Sequence, residues 1–151
     1  MTVDKSRDEM VETRQSCIDA SILKSLAPTG CILELNENTH MLSLLSAAVP
    51  HIIAQQEFTR NEWNILLTLL QSYPHHAPYE LLLASITALS SAACRSRIHN
   101  AQQAGAEAFK RELKPVYRAL SGVRTKLAKL HSQLQIFLMR EVGYVLVKVS
   151  E

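Results

Sequence analysis

The sequence predicts a helix-rich α+β fold, with a small antiparallel sheet first, three or more helices next, and a β-hairpin last. Three observations carry this reading. Short apolar runs broken by turn residues occupy positions 31–54. Apolar residues at i, i+3, i+4 and i+7 then recur as far as position 130. A β-rich, alternating segment follows at 134–149.

Composition sets the outer limits. The chain has 151 residues, 47% of them hydrophobic and 20% charged, which suits one globular domain with a real core. Aromatics are few, so the core must consist mainly of Leu, Ile, Val and Ala. No apolar run approaches the roughly 20 residues needed to cross a bilayer, and no membrane partner is expected. Residues 1–12 are polar and carry both signs of charge, unlike a signal or transit peptide. Cys17, Cys31 and Cys94 are odd in number and lack CxxC spacing, which argues against a disulfide framework. A soluble, cytoplasmic protein is expected.

Each element has a local cause. Residues 7–26 form a helical extension, placing Met10, Ile18, Ile22, Leu23 and Leu26 at helical spacing, and Ala27-Pro28-Thr29-Gly30 ends it. Cys31–Leu35 reads as a strand, Asn36-Glu37-Asn38 as a turn, and 41–45 and 51–54 as two further strands. Thr59-Arg60-Asn61-Glu62 is a capping box, and Phe58 and Trp63 stand at the positions of a hydrophobic staple. Ile65, Leu66, Leu67, Leu69 and Leu70 extend that helix to about Ser72, where Tyr73-Pro74 stops it. Pro78 opens a second helix to Leu89, with Leu81, Leu82, Ile86 and Leu89 facing the core. Residues 90–114 form an amphipathic helix or a long ordered loop, its large apolar groups being Ile98, Phe109 and Leu113. The last helix starts at Lys114-Pro115 and buries Val116, Ala119, Leu120, Val123, Leu127 and Leu130. Glu141-Val142-Gly143 turns the closing hairpin. The organisation is an extension over 1–30 and a domain over 31–151 with an inserted segment at about 90–114.

Charge is unevenly distributed. Between Arg95 and Lys148 eleven basic residues face three acids, Glu107, Glu112 and Glu141, a local net of +8 inside a total of +2. A basic region of this kind is the electrostatic footprint of nucleic-acid binding, or else the solvated face of a helical domain.

The segment 116–127, VYRALSGVRTKL, and the segment 136–146, IFLMREVGYVL, together carry a resemblance. They are similar to the recognition helix and wing of OmpR/PhoB-type response-regulator output domains. That family shows V-D-V-H-I-S-R-L-R-x-K-L followed by I-x-T-V-R-G-x-G-Y-x-L. FTRNEWNILLTLLQSYP resembles the family's first helix, and Tyr79-Glu80-Leu81-Leu82 stands at its R-E-x-L-L segment. The resemblance covers about 31–149 and implies a winged helix-turn-helix that binds double-stranded DNA to regulate transcription.

The resemblance also assigns residues. Tyr117, Arg118, Ser121 and Thr125 would lie nearest the base edges, and Arg124, Lys126 and Lys129 at phosphates. Arg140 matches the family's wing arginine in the minor groove. Lys114 and Thr59 would add backbone contacts. Ordinary alternatives stand beside these roles: solvated positions for Arg118 and Arg124, packing against the wing for Tyr117, and pairing with Glu141 for Arg140.

The chain also departs from the family. Some thirty residues precede the first strand, too few for the phosphoacceptor receiver domain. The connection at 90–114 is longer than the family's loop, so that loop's polymerase contact does not carry over. Gly122 replaces a commonly basic position, and Glu141 replaces a small wing glycine.

Two readings follow. The first is a regulator acting as a homodimer or in tandem, with a dimer contact from 7–26 or 90–114. The second is a winged-helix interaction module for RNA polymerase or another regulator, with 41–54 as contact surface and DNA binding weak or lost. A continuous positive strip along the last helix and the hairpin favours the first, and an ordered insertion packed over that helix favours the second. No enzyme, cofactor or metal is implied. His75-His76 lacks a third ligand, Cys94 and His99 alone specify no reaction, and no P-loop, nucleophile elbow or paired-carboxylate site is present.

Overall fold

Alternating burial builds the first sheet. The computed structural model describes residues 18–49 and 51–149. In it β1 (Cys31–Asn36), β2 (Met41–Ser46) and β3 (Ile52–Glu57) pair antiparallel in chain order. Leu33, Leu42 and Leu44 point into the core, while Ile32 and Glu34 point away. The expected turn is closed by the Asn36 side chain, whose oxygen accepts the backbone amides of Asn38 at 3.0 Å and Thr39 at 3.3 Å.

Ahead of the sheet lies α1 (Ala20–Leu26), within the expected helix over 7–26. Asp19 is extended and accepts the Ser21 amide at 3.0 Å, so it caps the helix instead of continuing it. The stretch 7–17 lies outside the described residues.

Helix α2 (Arg60–Ser72) begins as its capping box predicts. The Thr59 hydroxyl accepts the Glu62 amide at 3.3 Å, and the Glu62 carboxylate accepts the Thr59 amide at 2.9 Å. Phe58 and Trp63 meet with ring centroids 6.1 Å apart.

Helix α3 (Tyr79–Ser85) is shorter than the expected 78–89. The Ser85 and Thr87 hydroxyls donate to the carbonyls of Leu82 and Leu83, offering that backbone an alternative to another helical turn. The core face also shifts: Leu82 and Leu83 are buried, whereas Leu81 is 41% exposed.

The segment 90–114 is helical. Helix α4 (Ser91–Ala104), capped by Ser90, meets Gly105 at φ 121°, and α5 (Ala106–Leu130) runs on from there. The last helix therefore starts before Lys114, and Pro115 lies inside it. An interior proline costs about 3 kcal/mol, because it removes a hydrogen bond and crowds the preceding turn. Leu113 and Val116, both fully buried, flank it and offset that cost by about 1.5–3 kcal/mol each. The stripe Val116, Ala119, Leu120, Val123, Leu127 and Leu130 is buried throughout, as its spacing predicts.

The hairpin of β5 (Leu134–Met139) and β6 (Gly143–Lys148) turns at 140–142, with Glu141 at φ 64°. A two-residue strand β4 (Ala77–Pro78), where a turn through Ala77 and a helix start at Pro78 are expected, pairs with β6 to give the order β4-β6-β5. Gly143 permits this approach, since a Cβ there would overlap the Ala77 carbonyl.

The result is a mixed α+β arrangement, with five helices and two small antiparallel sheets among the described residues. One Leu-rich core joins them. No helix among those residues is long and apolar enough to cross a membrane.

Candidate nucleic-acid interface

Helix α5 separates its residues into two faces. Its buried stripe leaves Lys110, Arg111, Lys114, Arg118, Ser121, Thr125 and Lys129 on the opposite side, all exposed. Glu107 is the acid on that side. The other acid of the helix, Glu112, is turned toward α4, where Arg97 lies 2.6 Å away. Arg118 and Lys129 have no ion-pair partner among the described residues. The Thr125 hydroxyl donates to the Ser121 carbonyl at 3.0 Å, so its proton is committed within the helix.

Three predicted residues are tied to other parts of the fold instead, although Arg124 remains exposed. Arg124 donates from Nη2 to the Ile136 carbonyl at 3.1 Å, and its guanidinium carbon lies 5.6 Å from the Tyr144 ring centroid. It braces the hairpin against the helix. Lys126 Nζ sits 2.6 Å from Glu62 Oε1 and 5.5 Å from the Phe58 ring centroid, tying α5 to the start of α2. Tyr117 is half-buried, and burial together with the nearby Tyr144 phenol pushes its hydroxyl pKa up. Arg140 stands exposed at the hairpin turn beside Glu141.

An aromatic cluster fixes the hairpin's position. Tyr79 of α3 meets Phe109 of α5 and Tyr144 of β6 edge-on, at 5.5 Å and 6.0 Å between centroids. Burial, with Tyr144, Tyr117 and Glu141 nearby, pushes the Tyr79 hydroxyl up to about 12. Burial raises the Tyr144 pKa as well, and the Arg124 charge opposes that rise. A depression of about 380 Å³ remains between α5 and β5, lined by Arg124, Ala128, Ser132, Leu134, Gln135 and Ile136.

Close approach also explains Gly122. A Cβ there would overlap the Glu62 carboxylate, so the glycine makes room for the bridge from Glu62 to Lys126. The ordered insertion α4 packs beside the N-terminal half of α5, on the side of Glu112 and Leu113, and leaves the face of Arg118 to Lys129 uncovered.

The sequence reading did not place Lys110 and Arg111 on the outward face of this helix, because it started the helix too late. Their signal was present, since Lys110, Lys114 and Arg118 recur every fourth residue. No family model, curated protein or solved structure matches the chain.

Proposed function

We propose that this protein is a DNA-binding transcriptional regulator of winged-helix type, with the 115–130 part of α5 entering the major groove and the hairpin acting as wing. The observation that carries the reading is the outward face of α5. Arg118, Ser121, Thr125 and Lys129 are exposed on it together, while the nearby acids Glu62 and Glu112 are neutralised by Lys126 and Arg97.

An α-helix fits the major groove, where base edges present distinct donors and acceptors. Arg118 reads acceptors such as those of guanine, Ser121 offers a hydroxyl to either kind of partner, and Thr125, whose proton goes to the Ser121 carbonyl, offers only an acceptor. Lys129 neutralises phosphate and sets register. Arg140 projects from the hairpin turn toward the adjoining minor groove. Arg124, Lys126 and Tyr117 serve by holding the helix and the wing in fixed relation. Preorganisation of this kind matters because an interface ordered before binding loses less entropy on binding.

The test is selection from random duplex DNA, repeated over a salt series with Arg118→Ala and with Arg140→Ala. Arg124→Ala is unsuited to it, since that change also unbraces the hairpin. Enrichment of a defined site, with affinity falling steeply in salt and the preference lost in Arg118→Ala, supports the regulator. No enrichment, with weak binding indifferent to Arg118, overturns it.

One observation favours the second reading, a protein-interaction module. Phe137, Leu138, Met139 and Val142 are 44–51% exposed, and they lie on and beside the edge strand β5. Exposed apolar edges are templates for pairing with another chain. Loss of duplex binding combined with capture of RNA polymerase or a regulator through this strand would establish that role instead.

A further inference from the structure

We infer that the N-terminal half of α5 carries a second DNA contact, in which Lys110, Arg111 and Lys114 neutralise backbone phosphates outside the groove that Arg118 enters. The inference rests on the DNA-binding reading and extends it from Lys114, which the resemblance already places at the backbone, to Lys110 and Arg111, which that reading leaves unused.

The geometry begins with length. Helix α5 has 25 residues, which at 1.5 Å per residue makes it about 37 Å long. The major groove, about 12 Å wide, admits the helix but curves around the duplex, so a straight helix of this length seated through the turns around Ser121 and Thr125 leaves the groove toward its ends. The excess must run out over the flanking backbone. Lys110 lies about 12 Å along the axis from Arg118, two helical turns further out.

The chemistry of that excess fits phosphate and not base edges. Lys110, Arg111 and Lys114 are exposed, and none has an ion-pair partner among the described residues. With Glu107 and Tyr117 they line a depression of about 560 Å³. Glu107 is its acid and lies one turn from Arg111; Glu112 is turned away to Arg97 on α4. Three bases against one acid leave a net positive concavity, continuous along the helix with Arg118. Helix α4 packs on the opposite flank, so nothing among the described residues shields this side.

Two properties distinguish such a contact from base reading. It carries no sequence information, and it contributes counterion release, roughly 0.9 in the slope of log K against log salt for each phosphate neutralised. It also needs duplex beyond the recognised site. At 3.4 Å per base pair, 12 Å corresponds to about four base pairs on the side of the α5 N-terminus.

The experiment titrates the full chain on its selected duplex across a salt series. It compares the unaltered protein, the triple variant Lys110→Ala/Arg111→Ala/Lys114→Ala, and Arg118→Ala, on long duplexes and on duplexes trimmed by about four base pairs. All three altered positions are exposed, and circular dichroism checks that each variant is folded. The milder pair Lys110→Gln/Lys114→Gln serves if the triple variant is not.

The expected result is a slope reduced by up to about 2.7 in the triple variant, and by up to about 1.8 in the pair, with the selected sequence unchanged. Trimming should reproduce that loss in the unaltered protein and add little in the variant. An unchanged slope in a folded variant, while the unaltered protein still selects its site, overturns the second contact and leaves the regulator standing. Absence of duplex binding by the unaltered protein removes both.

Discussion

Glu62 accepts two hydrogen bonds through one carboxylate oxygen, from the Thr59 amide at 2.9 Å and from Lys126 Nζ at 2.6 Å. The residue that starts α2 therefore also sets the distance to α5, and Gly122 is the gap that admits it. Glycine inside a helix costs about 1 kcal/mol relative to alanine. Gly122→Ala should recover that amount only when the Glu62 side chain is absent. In the unaltered protein the new methyl displaces the carboxylate, and loss of the cap cancels the gain. A double-mutant cycle with Glu62→Ala, followed by urea unfolding, reads a coupling of about 1 kcal/mol. Simple additivity would show that the two residues do not meet.

Acid should weaken the fold through the same group. Burial alone would raise the Glu62 pKa, but the hydrogen bonds from Lys126 and Thr59 outweigh it and hold the pKa below the ordinary 4.5. The unfolded chain thus takes up this proton at higher pH than the native one does. The stability Glu62 contributes is present above about 4.5 and is lost as pH falls through its lower native pKa. Glu62→Gln should flatten this acid limb of the stability curve, and an unaltered limb would place its origin elsewhere.

Alkali should act on Tyr79. Its hydroxyl pKa is about 12 in the folded protein against 10.0 ordinarily, so the unfolded chain loses that proton first. Stability is full below 10 and declines as pH rises toward 12. Tyr79→Phe should remove this decline, since the phenol makes no hydrogen bond among the described residues that the change would delete. A decline of equal size in the variant would assign it to another group.

Arg124→Ala should loosen the hairpin by about 1–2 kcal/mol, because it deletes the bond to the Ile136 carbonyl and the contact with the Tyr144 face. It should also raise the Tyr144 pKa further, since the guanidinium charge now holds it down. Ultraviolet titration of the tyrosines and amide exchange in β5 measure the two effects. Faster exchange without a tyrosine shift would mean that only the hydrogen bond forms in solution.

Glu141→Gly should stabilise the protein by about 1 kcal/mol. Glu141 holds φ 64°, a conformation that costs a side-chain-bearing residue about 1–2 kcal/mol and glycine little. Thermal unfolding decides it, and a lower midpoint would count against the strain. Removing a carboxylate at the hairpin tip should also tighten duplex binding if the protein is the regulator proposed above.

The sequence was most informative where the determinants were local. The Thr59 capping box, the buried stripe of α5 and the hairpin turn all follow from residues within a few positions of one another. Reading failed where distant packing overruled a local cue. Pro115 looks like a helix start, yet burial of Leu113 and Val116 carries the helix through it. Ala77 looks like a turn residue, yet the close approach that Gly143 permits pairs it with Tyr144, 67 positions away in sequence. The candidate site divides in the same way. Arg118, Thr125 and Lys129 point outward by period alone. Arg124 and Lys126 lie at the margins of the stripe, where direction is set by Ile136 and by Glu62, 64 residues distant.

Strand β6 is the last described element, and it touches the parts made long before it. It pairs with β4 and β5, and its Lys148 donates to the Ala27 carbonyl at 3.2 Å, at the end of α1. A chain emerging from the ribosome can form the first sheet and α2 early, but these contacts wait until β6 has been synthesised. Closing loops of that length is entropically expensive and slow. Until then Tyr79, Leu134 and Ile136 lack their covering, so the nascent protein passes through a state whose exposed core is a target for chaperones.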